Sequence, residues 1–226
     1  MHIKPISKVK VPNRISNFQF RITFMNYNPK DPYFQRAKQE GYRARSVYKL
    51  EAIQERFKVL KTGDRVLDLG AAPGSFLQYI SRAIGEDGFV VGVDLQEITP
   101  LKEENIYTLV ADVTDEVVLE KKLEEIGADF FDVITSDMAP ATTGIKFVDG
   151  GRSMELNQEV LNIAEKYLRI GGNVVLKLLP GVNEGVLMKR MKLFFKTVRH
   201  FRPTAVRQTS GEFYLVGMGR FLSPKT

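Results

Sequence analysis

From residue 65 onward, short apolar runs alternate with longer stretches whose apolar residues recur every three or four positions. The runs Arg65–Leu69, Phe89–Asp94, Ile106–Ala111, Asp132–Asp137, Asn173–Leu178 and Glu212–Met218 have strand length and are rich in β-branched and aliphatic residues. The stretches Ser75–Ile84, Asp115–Ile126, Met154–Arg169 and Gly185–Val198 have helical period. Met154–Arg169 carries Leu156, Val160, Ile163, Ala164, Tyr167 and Leu168 on one face, and Gly171-Gly172 is expected to stop it. Strands alternating with helices predict an α/β fold with a mostly parallel sheet covered on both faces.

Upstream, Pro32–Phe57 is helical with a break near Gly41. Val47, Leu50, Ile53 and Phe57 share a face there, and Ser46 stands at the capping position. In Asn17–Phe24, Phe18, Phe20, Ile22 and Phe24 alternate with polar residues, which predicts a strand. The glycine-bearing stretch Ala141–Arg152 reads as a long loop, either a lid or a structural turn. At 226 residues the chain fits one domain, residues 31–226, behind a basic extension, residues 1–30.

Composition narrows the chemistry. The chain has no cysteine and only His2 and His200, so thiolate metal sites and Cys nucleophiles are excluded and a histidine triad is disfavoured. No apolar run is long enough to span a bilayer, and the first residues lack the apolar core of a signal peptide. A cytoplasmic monomer with no membrane association is the expectation. The net charge of +6 is uneven: residues 1–49 hold eleven Lys/Arg against Asp31 and Glu40, a balance of +9, and the rest of the chain totals −3. A second basic stretch, Lys189–Arg207, contains no acid. Basic patches on a mildly acidic body suit a polyanion, most directly nucleic acid, although solvated surface lysines explain the second stretch nearly as well.

The turn after the first strand is where a ligand is expected. Val66–Leu69 leads into Gly70-Ala-Ala-Pro-Gly74 and then a helix, so small residues and unpaired helix N–H groups face one place. Gly70 and Gly74 do not have the spacing of the dinucleotide fingerprint. That disfavours a nicotinamide-dependent dehydrogenase and favours an adenosine ligand without phosphates, S-adenosylmethionine (SAM). Ligands of such sheets lie beyond the carboxyl ends of the strands. Asp94, Asp112 and Asp137 stand at three such ends, Asp94 suited to ribose hydroxyls and Asp112 to an adenine amino group. A single acid there is usually a turn or cap residue; three in succession are harder to explain that way. Lys177, at the end of a nearly continuous apolar strand, must pair with an acid, lose its proton or extend to solvent. Lys49 reads alternatively as a solvated helix lysine, and Glu212 as a turn residue.

Five segments together resemble the FtsJ (RrmJ) family of RNA 2′-O-ribose methyltransferases, in the same order: Gly41–Leu50, Asp68–Gly74, Ser136–Pro140, Val174–Lys177 and Ser210–Tyr214. The resemblance spans roughly residues 31–221. It implies a Rossmann-like SAM-dependent methyltransferase fold and a catalytic set Lys49, Asp137, Lys177 and Glu212, within which we read Lys177 as the general base. It also implies SAM contacts at Gly74, Phe76, Asp94, Asp112 and Asp137, with Gly70 opening the turn. Two departures stand out: Pro73-Gly-Ser-Phe76 replaces Pro-Gly-Gly-Trp, and Leu178-Leu-Pro-Gly181 replaces a Phe-Gln-Gly segment. Short members of the family act on large-subunit (23S) ribosomal RNA, at a uridine, and others on tRNA or mRNA caps. The implied partner is therefore RNA, with large-subunit ribosomal RNA favoured by the compact length. The alternatives are a tRNA substrate and a non-catalytic RNA-binding or ribosome-assembly module.

Overall fold

A computed structural model of the chain describes residues 31–141, 143–181, 183–207 and 210–222. The extension 1–30, with the strand expected at Asn17–Phe24, lies outside them. The elements run α1 Pro32–Gln39, α2 Val47–Phe57, β1 Arg65–Leu69, α3 Ser75–Ile84, β2 Phe89–Asp94, β3 Ile106–Val110 and α4 Glu116–Glu125. They continue with β4 Phe131–Ser136, α5 Lys146–Tyr167, β5 Leu168–Leu178, α6 Glu184–Lys192, β6 Phe195–Phe201 and β7 Phe213–Arg220.

The seven strands form one sheet in the order β3-β2-β1-β4-β5-β7-β6. β7 is antiparallel to both β5 and β6, and the remaining pairings are parallel. From β1 the chain winds outward to β3, then returns to place β4 on the other side of β1. The strand order therefore reverses between β1 and β4, and a crevice opens beyond their carboxyl ends.

Side-chain alternation along the strands builds two apolar layers. Leu67, Leu69, Val91, Ile134, Leu176 and Leu215 pack with Leu119 of α4, Val160 of α5 and Leu187 of α6. Val66, Val90, Val133, Val175 and Val216 pack on the other face with Leu50 and Ile53 of α2 and Leu77 and Ile80 of α3. The same period of two places Lys177 and Tyr214, register partners on β5 and β7, on the face that α2 covers. Among the described residues no helix is long and apolar enough to cross a membrane.

Four expectations are corrected. The stretch Gly185–Val198 is not one helix: α6 ends at Lys192 and Phe195–Phe201 is the edge strand β6. Leu187, Met191, Phe195 and Val198 fall at helix-like intervals in sequence, but Phe195 and Val198 are buried from a strand. Lys196 and Arg199 on that edge discourage pairing with another chain.

Most of the expected loop Ala141–Arg152 is helical, because α5 begins at Lys146. Asp149 reaches back from the first turn to accept from Thr143 N and Oγ1 at 2.7 and 2.8 Å and from Gly144 N at 3.1 Å. This ties down the helix start, and a long lid loop is not what the segment forms.

Gly171-Gly172 does not stop α5, which ends at Tyr167 and passes directly into β5. The pair instead sits at a register irregularity of β5 against β4, where a Cβ on Gly172 would lie 2.7 Å from Asp132 O.

Ser46 makes no capping bond. Its hydroxyl meets Ser75 Oγ of α3 at 2.9 Å, and α1 is the helix with a side-chain cap here, from Asp31.

Candidate active site

The turn after β1 is built for close approach. Gly70 has φ +76°, and a Cβ there would stand 2.5 Å from Met138 Cγ and 3.1 Å from the Met138 backbone. Gly74 has φ +106°, with Leu101 and Arg43 side chains at 3.1 and 3.2 Å from a notional Cβ. Only glycine meets both demands without strain. Gly74 is the N-cap of α3, so the first N–H groups of that helix open toward the crevice.

Asp94, at the end of β2, braces this turn. One carboxylate oxygen accepts from Ala72 N and the other from Gln96 N, both at 2.9 Å. Asp112 lies two residues beyond β3 and accepts from Thr114 N and Oγ1 at 2.9 and 2.7 Å on one oxygen. Those two bonds hold its carboxyl below the usual range. Phe76, in the first turn of α3, is only 3 % exposed and its side chain belongs to the α2–α3 apolar layer.

Arg43 binds the turn to its surroundings. Its guanidinium donates to Pro73 O, Thr99 O and Pro100 O at 2.9, 2.6 and 2.7 Å. Its backbone N–H donates to Gln78 Oε1 at 2.9 Å, and Gln78 Nε2 donates to Gly41 O at 2.9 Å. The segment leading to α2 is thus fixed to α3.

The four expected reactive side chains converge beside this cradle. Lys177 Nζ donates to Asp137 O at 2.5 Å and lies 3.1 Å from Asp137 Oδ1. Lys49 Nζ, from α2, stands 4.0 Å from the same Oδ1 and 2.5 Å from Glu212 Oε1. Glu212 precedes β7 rather than opening it, and Asp137 follows β4 by one residue. Lys177 is 8 % exposed, as is Glu212. Two cations and two anions at this depth are tolerable because each faces an opposite charge. Burial alone would push the Asp137 carboxyl up. The charges of Lys177 and Lys49 and the Tyr214 hydroxyl outweigh it, and the group is held below the ordinary carboxylate range.

Sequence reading misses three members of the site. Tyr214, fully buried, donates its hydroxyl to Asp137 Oδ1 at 2.6 Å. Burial and the Asp137 charge push that phenol well above its usual pKa, so it acts as a fixed donor. The period of two from Glu212 to Tyr214 is the signal that could have placed both on one face. Asn157 of α5 donates to Lys177 O at 2.9 Å and anchors the end of β5. Asp68, in β1 beneath the cradle, accepts from Thr135 Oγ1 at 2.6 Å, and its other oxygen is buried without a partner. Burial pushes its carboxyl up to about 8 despite the Thr135 bond, with Asp137 and Asp94 adding to the rise.

A second cluster fixes the approach to the site. Asp31 Oδ2 pairs with Arg45 and, at 3.5 Å, with Arg207 Nε, and Arg45 also donates to Ala205 O. The loop before α2, which carries Lys49, is thereby joined to the loop before β7, which carries Glu212. Among the described residues no group of three or more His, Cys, Asp or Glu is arranged to hold a metal ion.

The sequence profile described as FtsJ-like methyltransferase matches residues 42–220. A protein of Syntrophobacter fumaroxidans named ribosomal RNA large subunit methyltransferase E is 45 % identical over 194 residues, covering 86 % of this chain and 98 % of that one. Among solved structures, one described as a putative ribosomal RNA methyltransferase from Plasmodium falciparum superposes with a TM-score of 0.70 at 28 % identity, covering 79 % of this chain and 98 % of the other. Fibrillarin from Aeropyrum pernix, solved with natively bound SAM, shares the fold with a TM-score of 0.54 at 20 % identity over 76 % of each chain. The profile spans most of the described sheet and every residue of the Lys49, Asp137, Lys177 and Glu212 cluster, and the chain belongs to the FtsJ-like methyltransferase family.

Proposed function

We propose that this enzyme transfers a methyl group from SAM to a ribose 2′-hydroxyl of large-subunit ribosomal RNA, at a uridine. The observation that carries the reading is the convergence of Lys49 and Lys177 on Asp137 Oδ1, at the carboxyl ends of β4 and β5 beside the Gly70–Gly74 turn. The names of the 45 %-identical relative and the Plasmodium falciparum structure support the acceptor. So does the +9 balance of residues 1–49.

The cradle fits SAM. A Cβ at Gly70 or Gly74 would fill the close approach, and the first N–H groups of α3 suit a carboxylate. Asp94 suits ribose hydroxyls, Asp112 an adenine amino group and Asp137 the amino group of the methionine moiety. When bound, SAM supplies a methyl group already activated on a sulfonium.

The chain's own task is to aim the hydroxyl and take its proton. Lys177 is the base. Asp137 O and Oδ1 fix two directions around Nζ, and in the neutral amine the lone pair takes the remaining one. As the proton arrives, the Asp137 carboxylate stabilises the ammonium that forms. Tyr214 holds Asp137 in place. Lys49, steadied by Glu212, faces the target nucleotide.

The test is transfer of labelled methyl from SAM to unmodified large subunits, free large-subunit ribosomal RNA and tRNA. Label in the large subunit, recovered in an alkali-resistant dinucleotide, is expected. Label in tRNA alone would move the substrate, and tight SAM binding without transfer to any RNA would overturn the reading.

A further inference from the structure

We propose that the start of α5 is a stacking platform for unpaired nucleotides next to the target; this rests on the RNA methyltransferase reading. Phe147 is 85 % exposed, the highest value among the large apolar residues described, and Ile145 is 61 % exposed. Val148 completes three apolar side chains within four positions, facing outward. Scattered exposed apolar residues need no explanation, but an almost fully exposed ring with exposed apolar neighbours at the same helix start does.

Its place in the fold says what it meets. The turn after β5 packs on the first helical turn of α5: a Cβ on Gly181 would lie 2.7 Å from Lys146 O. On its other side, a Cβ on Gly211 would lie 2.7 Å from Pro180 Cγ. The chain Lys146, Gly181, Pro180, Gly211 therefore leads from the platform to Glu212, which pairs with Lys49. The start of α5 is thereby linked, through the turn after β5, to the segment that carries Glu212.

The charges at the platform fit a polyanion. Lys146 lies between Ile145 and Phe147 and is exposed, and Arg152 stands on the same helix, donating to Ala141 O at 3.2 Å. The one acid of the first turn, Asp149, is buried and turned back to Thr143 and Gly144. Proteins that select one nucleotide of an RNA usually do so in unpaired segments, whose neighbouring bases are unstacked. An aromatic face flanked by cations receives such bases without requiring a sequence.

The test uses Phe147→Ala, Phe147→Trp and wild type in two assays. One measures binding to a short unstructured oligoribonucleotide containing 2-aminopurine; the other measures methyl transfer to unmodified large subunits. Wild type should quench the probe. Phe147→Ala should lose about tenfold in affinity and raise KM for the subunit more than it lowers kcat, with SAM affinity and melting temperature unchanged. Phe147→Trp should restore both. Equal KM in Phe147→Ala, or equal loss in Phe147→Trp, would overturn the platform. Loss on assembled subunits with unchanged oligonucleotide affinity would assign the patch to a protein surface and also overturn it. Absence of methyl transfer by wild type would instead count against the underlying reading.

Discussion

Tyr214 donates its hydroxyl to Asp137 Oδ1 at 2.6 Å, the same oxygen that lies 3.1 Å from Lys177 Nζ. A buried neutral donor and a buried cation thus fix one carboxylate from two strands of the sheet. Tyr214→Phe keeps the ring and deletes only the donor. Loss of a hydrogen bond to a charged group is worth about 1.5–3 kcal/mol. Methyl transfer should therefore fall about 10- to 100-fold, with SAM affinity changed less. Asp137 would also lose one of the groups that hold its carboxyl down. Steady-state methyl transfer and SAM titration of both proteins check this, and an unchanged rate would leave Tyr214 a packing residue.

Arg43 predicts a different signature. It touches none of the four reactive side chains but donates to three carbonyls around the glycine turn. Arg43→Ala should raise the Kd for SAM about tenfold, on the order of one charge-assisted hydrogen bond. Lysine cannot reproduce the fork of donors, so Arg43→Lys should recover little. Calorimetric titration with SAM checks both variants.

Asp68 predicts a pH dependence of stability. Its carboxyl titrates at about 8 in the fold, against 3.8 for an unperturbed aspartate. A raised carboxyl contributes stability that is present below its unfolded pKa and lost as pH rises through the folded one. Asn cannot titrate, so the stability of wild type relative to Asp68→Asn should decline steadily between about pH 4 and pH 8. The lowered Asp137 carboxyl works in the opposite sense, contributing stability above its unfolded pKa that is lost in acid, and is common to both proteins. Chemical denaturation of the two proteins across that range measures the difference. A constant difference would mean that Asp68 is already ionised in the fold.

What is legible in the sequence is what local pattern controls. The bounds of β1 and α3 can be read to the residue, because a buried apolar run, a glycine turn and a strongly one-sided helix are all local signals. Lys177 stands out because a cation interrupts an apolar strand, and its partner Asp137 lies at a neighbouring strand end. The failures come where tertiary packing overrides local pattern. Phe195 and Val198 are three apart whether on a helix or an edge strand, and only pairing with β7 decides between them. Gly150 reads as a loop residue but lies buried in α5, where Gly181 approaches. Tyr214 cannot be recognised as a donor without the antiparallel pairing that sets β7 beside β5, opposite Lys177.

The most direct measurement is single-turnover methyl transfer by Lys177→Ala to unmodified large subunits, with SAM affinity measured on the same protein. Lys177 lies beside the cradle rather than in it, so SAM affinity should stay close to wild type. The transfer rate should fall by about 10²- to 10⁴-fold, the range for removal of a general base. Wild-type transfer by Lys177→Ala would contradict the assignment of Lys177 as the group that takes the 2′-hydroxyl proton.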